Sequence, residues 1–335
     1  MKEAKYWKKL KDTTVQCMLC PRACVIKDGD RGDCRVRENQ KGTLFSMVYG
    51  KPCAMVLDPV EKKPQYHFLP GSFSFSIGTA GCNLHCKFCQ NWEMSQSTEE
   101  ELQNYSLSPE QVVQEALKTD AKSIAYTYND PIVFFEYAQD CAKIAKKKGL
   151  KNIFVTNLFI NEEPLREICK VMDAFHVDLK GFNDKFYREV TLAWLEPILN
   201  NLKILKEEGV WFEIINLVIP GHNDNEEDIK EMCKWIKDNL GVDVPLHFSR
   251  FFPYYEMMDV DSTPLKTLEK FYNIAKKAGL KYVYLGNVRE REDNTLCPKC
   301  SKTLIKRTSF FEVTKNNIEK GKCKFCKEPI AGVFK

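Results

Sequence analysis

Ser72-Phe-Ser-Phe-Ser-Ile-Gly-Thr-Ala-Gly-Cys82-Asn-Leu-His-Cys86-Lys-Phe88-Cys89-Gln-Asn-Trp92 is the stretch around which the rest of the chain is organised. Phe73, Phe75 and Ile77 alternate with serines, the period of a half-buried strand. Gly78 and Gly81 then release the backbone into a loop that carries thiols at 82, 86 and 89. Three thiolates on one short loop can hold three irons of a cubane [4Fe–4S] cluster and leave one iron open to a ligand; four would fill it. The alternative is a zinc knuckle. Zinc needs a fourth ligand, and knuckles pair two-residue spacings.

The chain has 335 residues, enough for a large core and more than one typical domain. Its 50 basic and 46 acidic residues leave a net charge of +4, too small an excess to indicate a nucleic-acid or membrane partner. No apolar run approaches the ~18 residues of a membrane-spanning helix. The opening MKEAKYWKKLKD lacks the apolar core of a signal peptide, so a cytoplasmic protein is expected. In that reducing compartment fifteen cysteines point to metal rather than disulfides. Cys141, Cys169 and Cys233 lie alone in helical patterns and read as small core residues.

Residues 1–16 read as a short basic helix. Cys17, Cys20, Cys24 and Cys34 follow, at spacings that suit a closed tetrahedral zinc site or, alternatively, a second iron–sulfur cluster. Two short strands are expected between Thr43 and Leu57, then a connector punctuated by Pro and Gly from Asp58 to Gly71. From Ser108 the rhythm is helix and strand. Ser108-Pro109 opens a helix, and strands are expected at 123–128, 152–157, 175–179, 211–219, 245–251 and 282–285. Helices are expected at 131–148, 197–208 and 226–240, with another from Thr263-Pro264 to Gly279. Alternating units imply a parallel sheet and an α/β fold, a complete or partial (β/α) barrel with its site at the C-terminal mouth of the strands. The tail carries Cys297-Pro-Lys-Cys300 and Cys323-Lys-Phe-Cys326 around a β-rich segment, the spacing of a zinc ribbon.

Cys-x3-Cys-x2-Cys with Phe88 before the third cysteine resembles the radical S-adenosylmethionine (SAM) signature. In that superfamily the open iron chelates SAM, and an electron through the cluster splits it into methionine and a 5′-deoxyadenosyl radical that abstracts hydrogen. The resemblance implies a partial (β/α)6-type TIM barrel at 71–290, between a Cys-rich N-terminal β extension at 1–70 and a zinc-ribbon-like tail at 291–335. It implies a [4Fe–4S] cluster on Cys82, Cys86 and Cys89, zinc in the tail, and an electron donor such as ferredoxin or flavodoxin.

SAM contacts carried over by position are Phe88, Tyr128, Asn129, Asp130, Thr156, Asn157, Asp178, Lys180, Phe252 and Tyr255. Thr127-Tyr-Asn-Asp-Pro131 stands where the superfamily has Gly-Gly-Glu. Thr156 and Asn157 read equally well as helix caps. Asp178-Leu-Lys180 resembles a motif of pyruvate formate-lyase activating enzymes, with a rim salt bridge as the plainer reading. Val218-Ile-Pro-Gly221 and Phe252-Pro-Tyr-Tyr255 resemble that family's fifth-strand turn and sixth-strand end.

The closest resemblance is to a sister group, the radical SAM protein of the AmmeMemoRadiSam system. It runs over Cys17–Cys24, Asp58–Gly71, Gly78–Ser95, Thr127–Pro131, His247–Pro253, Tyr282–Val288 and Ile330–Val333, with Asp130 where Glu is expected. That group implies Memo-like and AMMECR-like partners. Kinship with the activating enzymes implies a protein or peptide substrate, as in glycyl-radical activation. RNA modification and a non-catalytic iron–sulfur or zinc scaffold are the other readings.

Overall fold

The computed structural model describes residues 1–288, 293–308 and 311–335. The boundary expected at 290/291 lies outside them. Eight strands form the main sheet, in the order they occur in the chain. They are β1 (Ala54–Pro59), β2 (Phe73–Gly78), β3 (Ala121–Tyr126), β4 (Lys151–Thr156), β5 (Ala174–Asp178), β6 (Trp211–Val218), β7 (Leu246–Arg250) and β8 (Val283–Gly286). β1 runs antiparallel to β2, and all later pairings are parallel. The helices of the crossovers are α1 (Pro109–Leu117), α2 (Phe135–Lys147), α3 (Glu162–Cys169), α4 (Glu196–Glu207), α5 (Glu226–Asn239) and α6 (Leu265–Ala278). Among the described residues β1 and β8 do not pair with each other, so the sheet is open. Lys62 and Cys82, which follow β1 and β2, nevertheless line one cavity with Gly286 of β8, so it is curled.

Each parallel strand has two buried faces of different character. One presents Phe154, Phe175, Val177, Ile214, Leu246 and Phe248 to the helices, in a core that also takes in Cys141, Cys169 and Cys233. The other faces inward, and at its lower end Ala125, Ile153 and Ala174 leave room. Val60 and Phe68 of the connector fill that room.

The 58–71 connector is therefore threaded through the concave side of the sheet. Glu213 on β6 holds it. Its carboxylate accepts from the Tyr66 and His67 amides at 3.0 and 2.7 Å and from His247 Nε2 at 2.8 Å. Gln65 Nε2 donates to the Phe175 carbonyl, and His67 Nε2 meets the Tyr284 hydroxyl at 2.6 Å. Phe68 also bridges to Val333 of the tail.

Strand positions follow the sequence pattern to within a residue or two. Ser108 caps α1 with a capping box closed by Gln111. Two expectations fail. Residues 1–16 do not form a helix: Lys2–Glu3, Trp7–Lys9 and Val15–Cys17 are short strands. Two lysines of this segment are held by distant helices. Lys2 pairs with Asp140, and Lys5 reaches Gln139 and Glu167 at 2.7 Å each, so contacts to α2 and α3 override local propensity. The helix expected from 131 starts at Phe135 instead, because the Asp130 side chain takes the Ile132 amide into a turn. No helix among the described residues is long and apolar enough to cross a membrane.

Glu213→Ala strands two buried backbone amides. At about 1–3 kcal/mol for each unsatisfied group, denaturant unfolding should show a loss of roughly 3 kcal/mol or more. A loss under about 1 kcal/mol would mean the connector is anchored elsewhere.

Candidate active site

The loop after β2 is set by two close approaches. A Cβ on Gly78 would lie 2.6 Å from the Thr127 carbonyl. Gly81 has φ +81°, and a Cβ there would lie 2.5 Å from the Cys34 carbonyl. Asn129 then fastens the loop. Its Oδ1 accepts from the Thr79 amide at 3.1 Å, and its Nδ2 donates to the Gly81 carbonyl at 2.7 Å and the Ala80 carbonyl at 3.2 Å. Farther along, His85 and Lys87 amides donate to the Thr191 and Val190 carbonyls. The His85 ring is held by Asp33 and Gln96, as a loop residue.

So placed, Cys82, Cys86 and Cys89 line the mouth of an open cavity of ≈ 490 Å³ at the C-terminal ends of the strands. That lies within the roughly 300–1,000 Å³ of a small-ligand pocket. Phe88, Tyr128, Asn129, Asp130, Thr156, Asn157, Asp178 and Lys180 all line it. Phe252 and Tyr255 do not. Phe252 is exposed beside the Arg250 guanidinium, and Tyr255 stacks on Trp92 at 5.0 Å. The inward apolar wall comes instead from Val155, Ile215 and Leu217.

The charged groups sit in bonded sets. Asp130 is buried; it accepts from Thr156 Oγ1 at 3.0 Å and from the Asn157 amide at 2.6 Å. Burial raises its pKa to about 6 against those donors. Asp178 lies 3.0 Å from Lys180 Nζ and 3.0 Å from His176 Nε2. Burial opposes the charge on Asp178, but Lys180 and His176 outweigh it and hold the carboxylate below its usual range. Burial likewise opposes the Lys180 charge, and Asp178 beside it keeps the ammonium protonated, above the usual lysine range. Asn223 supports the pair from below, donating to the Lys180 carbonyl at 2.6 Å. Asp58 takes Lys62, Lys63 and the Tyr128 hydroxyl within 2.8 Å, which fixes the connector against the cavity rim.

Several lining residues escaped the sequence reading: Lys62, Lys63, His176, Ser249, Asn287 and Phe311. His176 was findable, being two residues before Asp178 on the same strand face. The lysines of the connector and Phe311 of the tail follow no period and reach the cavity only through the fold.

In the tail, Cys297 and Cys326 lie 3.6 Å apart and Cys300 and Cys323 3.8 Å apart, and all four sulfurs fall within 4.8 Å of one another. Sulfurs about 2.3 Å from one zinc in a tetrahedron stand roughly 3.8 Å apart. Arg307 ties this tail to the connector, donating to the Tyr66 carbonyl at 2.7 Å beside Glu61.

The model of the Radical SAM superfamily matches residues 76–236, from within β2 through most of α5. The chain is 43% identical to the Methanocaldococcus jannaschii protein MJ0808 over 98% of this chain and 99% of that one. It belongs to the radical SAM superfamily. The Escherichia coli (strain K12) pyruvate formate-lyase 1-activating enzyme is 21% identical over 61% of this chain and 89% of its own length. A radical SAM methyltransferase from Sphaerobacter thermophilus shares the fold, with a TM-score of 0.52 at 12% identity, over 83% of this chain and 75% of that one. Membership in this radical SAM family implies enzymatic radical chemistry on SAM, a [4Fe–4S] cluster and an electron donor.

Asn129 acts here as a positioning residue. Asn129→Asp sets a carboxylate against the Ala80 and Gly81 carbonyls, and iron retained after anaerobic reconstitution should fall well below that of the unaltered chain. Asn129→Ser, short but without the added charge, should retain more. Equal iron in all three would remove this role.

Proposed function

We propose that Cys82, Cys86 and Cys89 hold a [4Fe–4S] cluster with one open iron, and that the cavity before it seats SAM beside a protein or peptide substrate. The supporting observation is that the three thiols share one cavity wall with the Asp130–Thr156 and Asp178–Lys180 sets. When bound, cluster and SAM supply a one-electron cleavage to methionine and a 5′-deoxyadenosyl radical that removes hydrogen from the substrate.

The chain's own residues bind and orient. Asp130 contributes a buried negative charge toward a ligand that carries an ammonium and a sulfonium, while Thr156 and the Asn157 amide hold that carboxylate in place. Lys180 and Asp178 offer a donor and an acceptor on one side of the cavity. Ile215 and Leu217 take the apolar role expected of Phe252 and Tyr255. Tyr128, with φ +74°, turns the chain so that Asn129 faces the loop and Asp130 the cavity. Kinship with an activating enzyme supports a protein or peptide as second occupant. Ferredoxin or flavodoxin is the proposed donor, a Memo-like and an AMMECR-like protein are proposed partners, and the cytoplasm is the proposed compartment.

For the tail we propose one structural zinc on Cys297, Cys300, Cys323 and Cys326, since their sulfur spacing fits a single tetrahedral ion. Such a closed site has no open position for chemistry. Cys300→Ser with Cys326→Ser should remove about one zinc per chain without changing iron content. Loss of iron in place of zinc would overturn the assignment.

Reduced, reconstituted protein should release 5′-deoxyadenosine from SAM, and Cys86→Ala should abolish that release. Normal release in the variant would refute the cluster reading. Lys180→Ala should cut release at least ~10-fold, the effect of losing about 1.4 kcal/mol of stabilisation.

The pH response has a sign. As pH falls through about 6, Asp130 takes up a proton. SAM affinity, measured by anaerobic calorimetry, should then weaken. The fold responds in the opposite sense, because the native state binds a proton that the unfolded chain does not. Asp130→Asn should flatten the affinity profile; an unchanged profile would exclude Asp130 as a charge sensed by SAM.

A further inference from the structure

The first four cysteines do not behave like the last four. Cys17, Cys20, Cys24 and Cys34 surround a small cavity of ≈ 20 Å³ beneath the loop that carries Cys82. Leu19, Ile26, Ile132 and Val133 make its apolar wall, and Arg22, Arg37 and Asn83 also face it. Among the described residues the tail is the one group of three or more ligating side chains whose atoms close to within 4.8 Å. No three of the N-terminal thiols reach that spacing, and neither do Cys82, Cys86 and Cys89. The tail has the spacing of one tetrahedral zinc. The other two sets are wider, as thiolates are when the guest is a cube of irons and sulfides bonded to them and not a single ion.

The surroundings agree. Arg37 is buried, and its Nη1 donates toward Cys17 Sγ at 3.8 Å. Its Nε is buried with no partner. A guest with sulfides on its faces supplies acceptors there in addition to the four thiolates. Arg37 is fixed by Glu136, and Arg22 by Asp33 and by donation to the Asn83 carbonyl at 2.7 Å. Hydrogen bonds to cluster sulfurs are among the factors that set reduction potential.

We propose that Cys17, Cys20, Cys24 and Cys34 hold a second [4Fe–4S] cluster, back to back with the one on the Cys82–Cys89 loop. Four thiolates leave no iron open, so this cluster carries single electrons and does not ligate substrate. The two sites share a wall. The Cys34 carbonyl packs on Gly81, and Asn83 lines the N-terminal cavity while its side chain meets Asn157 of the central one at 3.0 Å. This inference goes beyond the SAM site and stands on separate thiols.

The test uses the full chain with Cys82, Cys86 and Cys89 all changed to Ala, reconstituted anaerobically with iron and sulfide. Expected are about four irons per chain and, after reduction, the paramagnetic signal of a cubane cluster that does not respond to SAM. The complementary variant, Cys17→Ser with Cys34→Ser, should hold about four irons where the unaltered chain holds about eight, and its signal should shift with SAM. Zinc without iron in the triple variant would overturn the proposal, even if the serine variant fails to fold. If the triple variant keeps its iron but the unaltered chain never cleaves SAM, the second cluster stands and the SAM reading falls.

Discussion

A carboxylate with no access to water sets the interior of this fold. Glu213 stands on the concave face of the sheet and accepts from two successive backbone amides and one imidazole. Burial works against its charge, and the hydrogen bond from His247 leads the interactions that outweigh burial and hold its pKa below the usual range. His247, pushed by burial toward its neutral form, donates from Nε2. A buried charge of this kind persists only where its acceptor capacity is filled. Here the filling groups belong to the connector, so the sheet and the segment inside it specify each other. The apolar side of the same bargain is Val60 and Phe68 against Ala125, Ile153 and Ala174 of β3, β4 and β5.

From that anchored segment the site follows by short steps. The connector begins at Asp58, which gathers two lysines and Tyr128 at the cavity rim. Tyr128 is followed by Asn129, whose amide holds the thiol loop, and by Asp130, whose carboxylate holds the end of β4. Three adjacent residues thus connect the floor, the loop and the opposite wall. Such coupling makes the site rigid before any ligand arrives, which is the usual requirement for directing a reactive species to one atom.

Much of this was legible in the sequence because it is carried by local pattern. Apolar runs ending in Gly located the parallel strands, and the thiol spacing located the loop. Asp178 and Lys180, two apart on a strand, had to share a face. What the sequence did not reveal was carried by tertiary contact. The lysines at 2 and 5 looked like a helical face and are salt-bridge partners of distant helices. Phe252 and Tyr255 follow the strand pattern, but the chain turns outward beyond β7, so they miss the cavity. Nor could spacing alone separate zinc from a cluster in the first four cysteines. That difference lies in how far apart the folded backbone holds them.

The bridge between Phe68 and Val333 has a bearing on the order in which the molecule is made. A ribosome extrudes the connector early and the segment around Val333 only after every strand of the sheet. His67 waits for the same late segment, since its ring meets the Ala331 carbonyl at 2.7 Å. During synthesis, then, the inner segment lacks its last backbone partners while the thiol loop and the strands that face it are already complete. The nascent sheet passes through an interval in which its interior is assembled but not latched. Contacts between residues so distant in sequence form late and slowly. Until that interval ends, the segment inside the sheet lacks the Val333 and Ala331 partners that hold Phe68 and His67 in the finished chain.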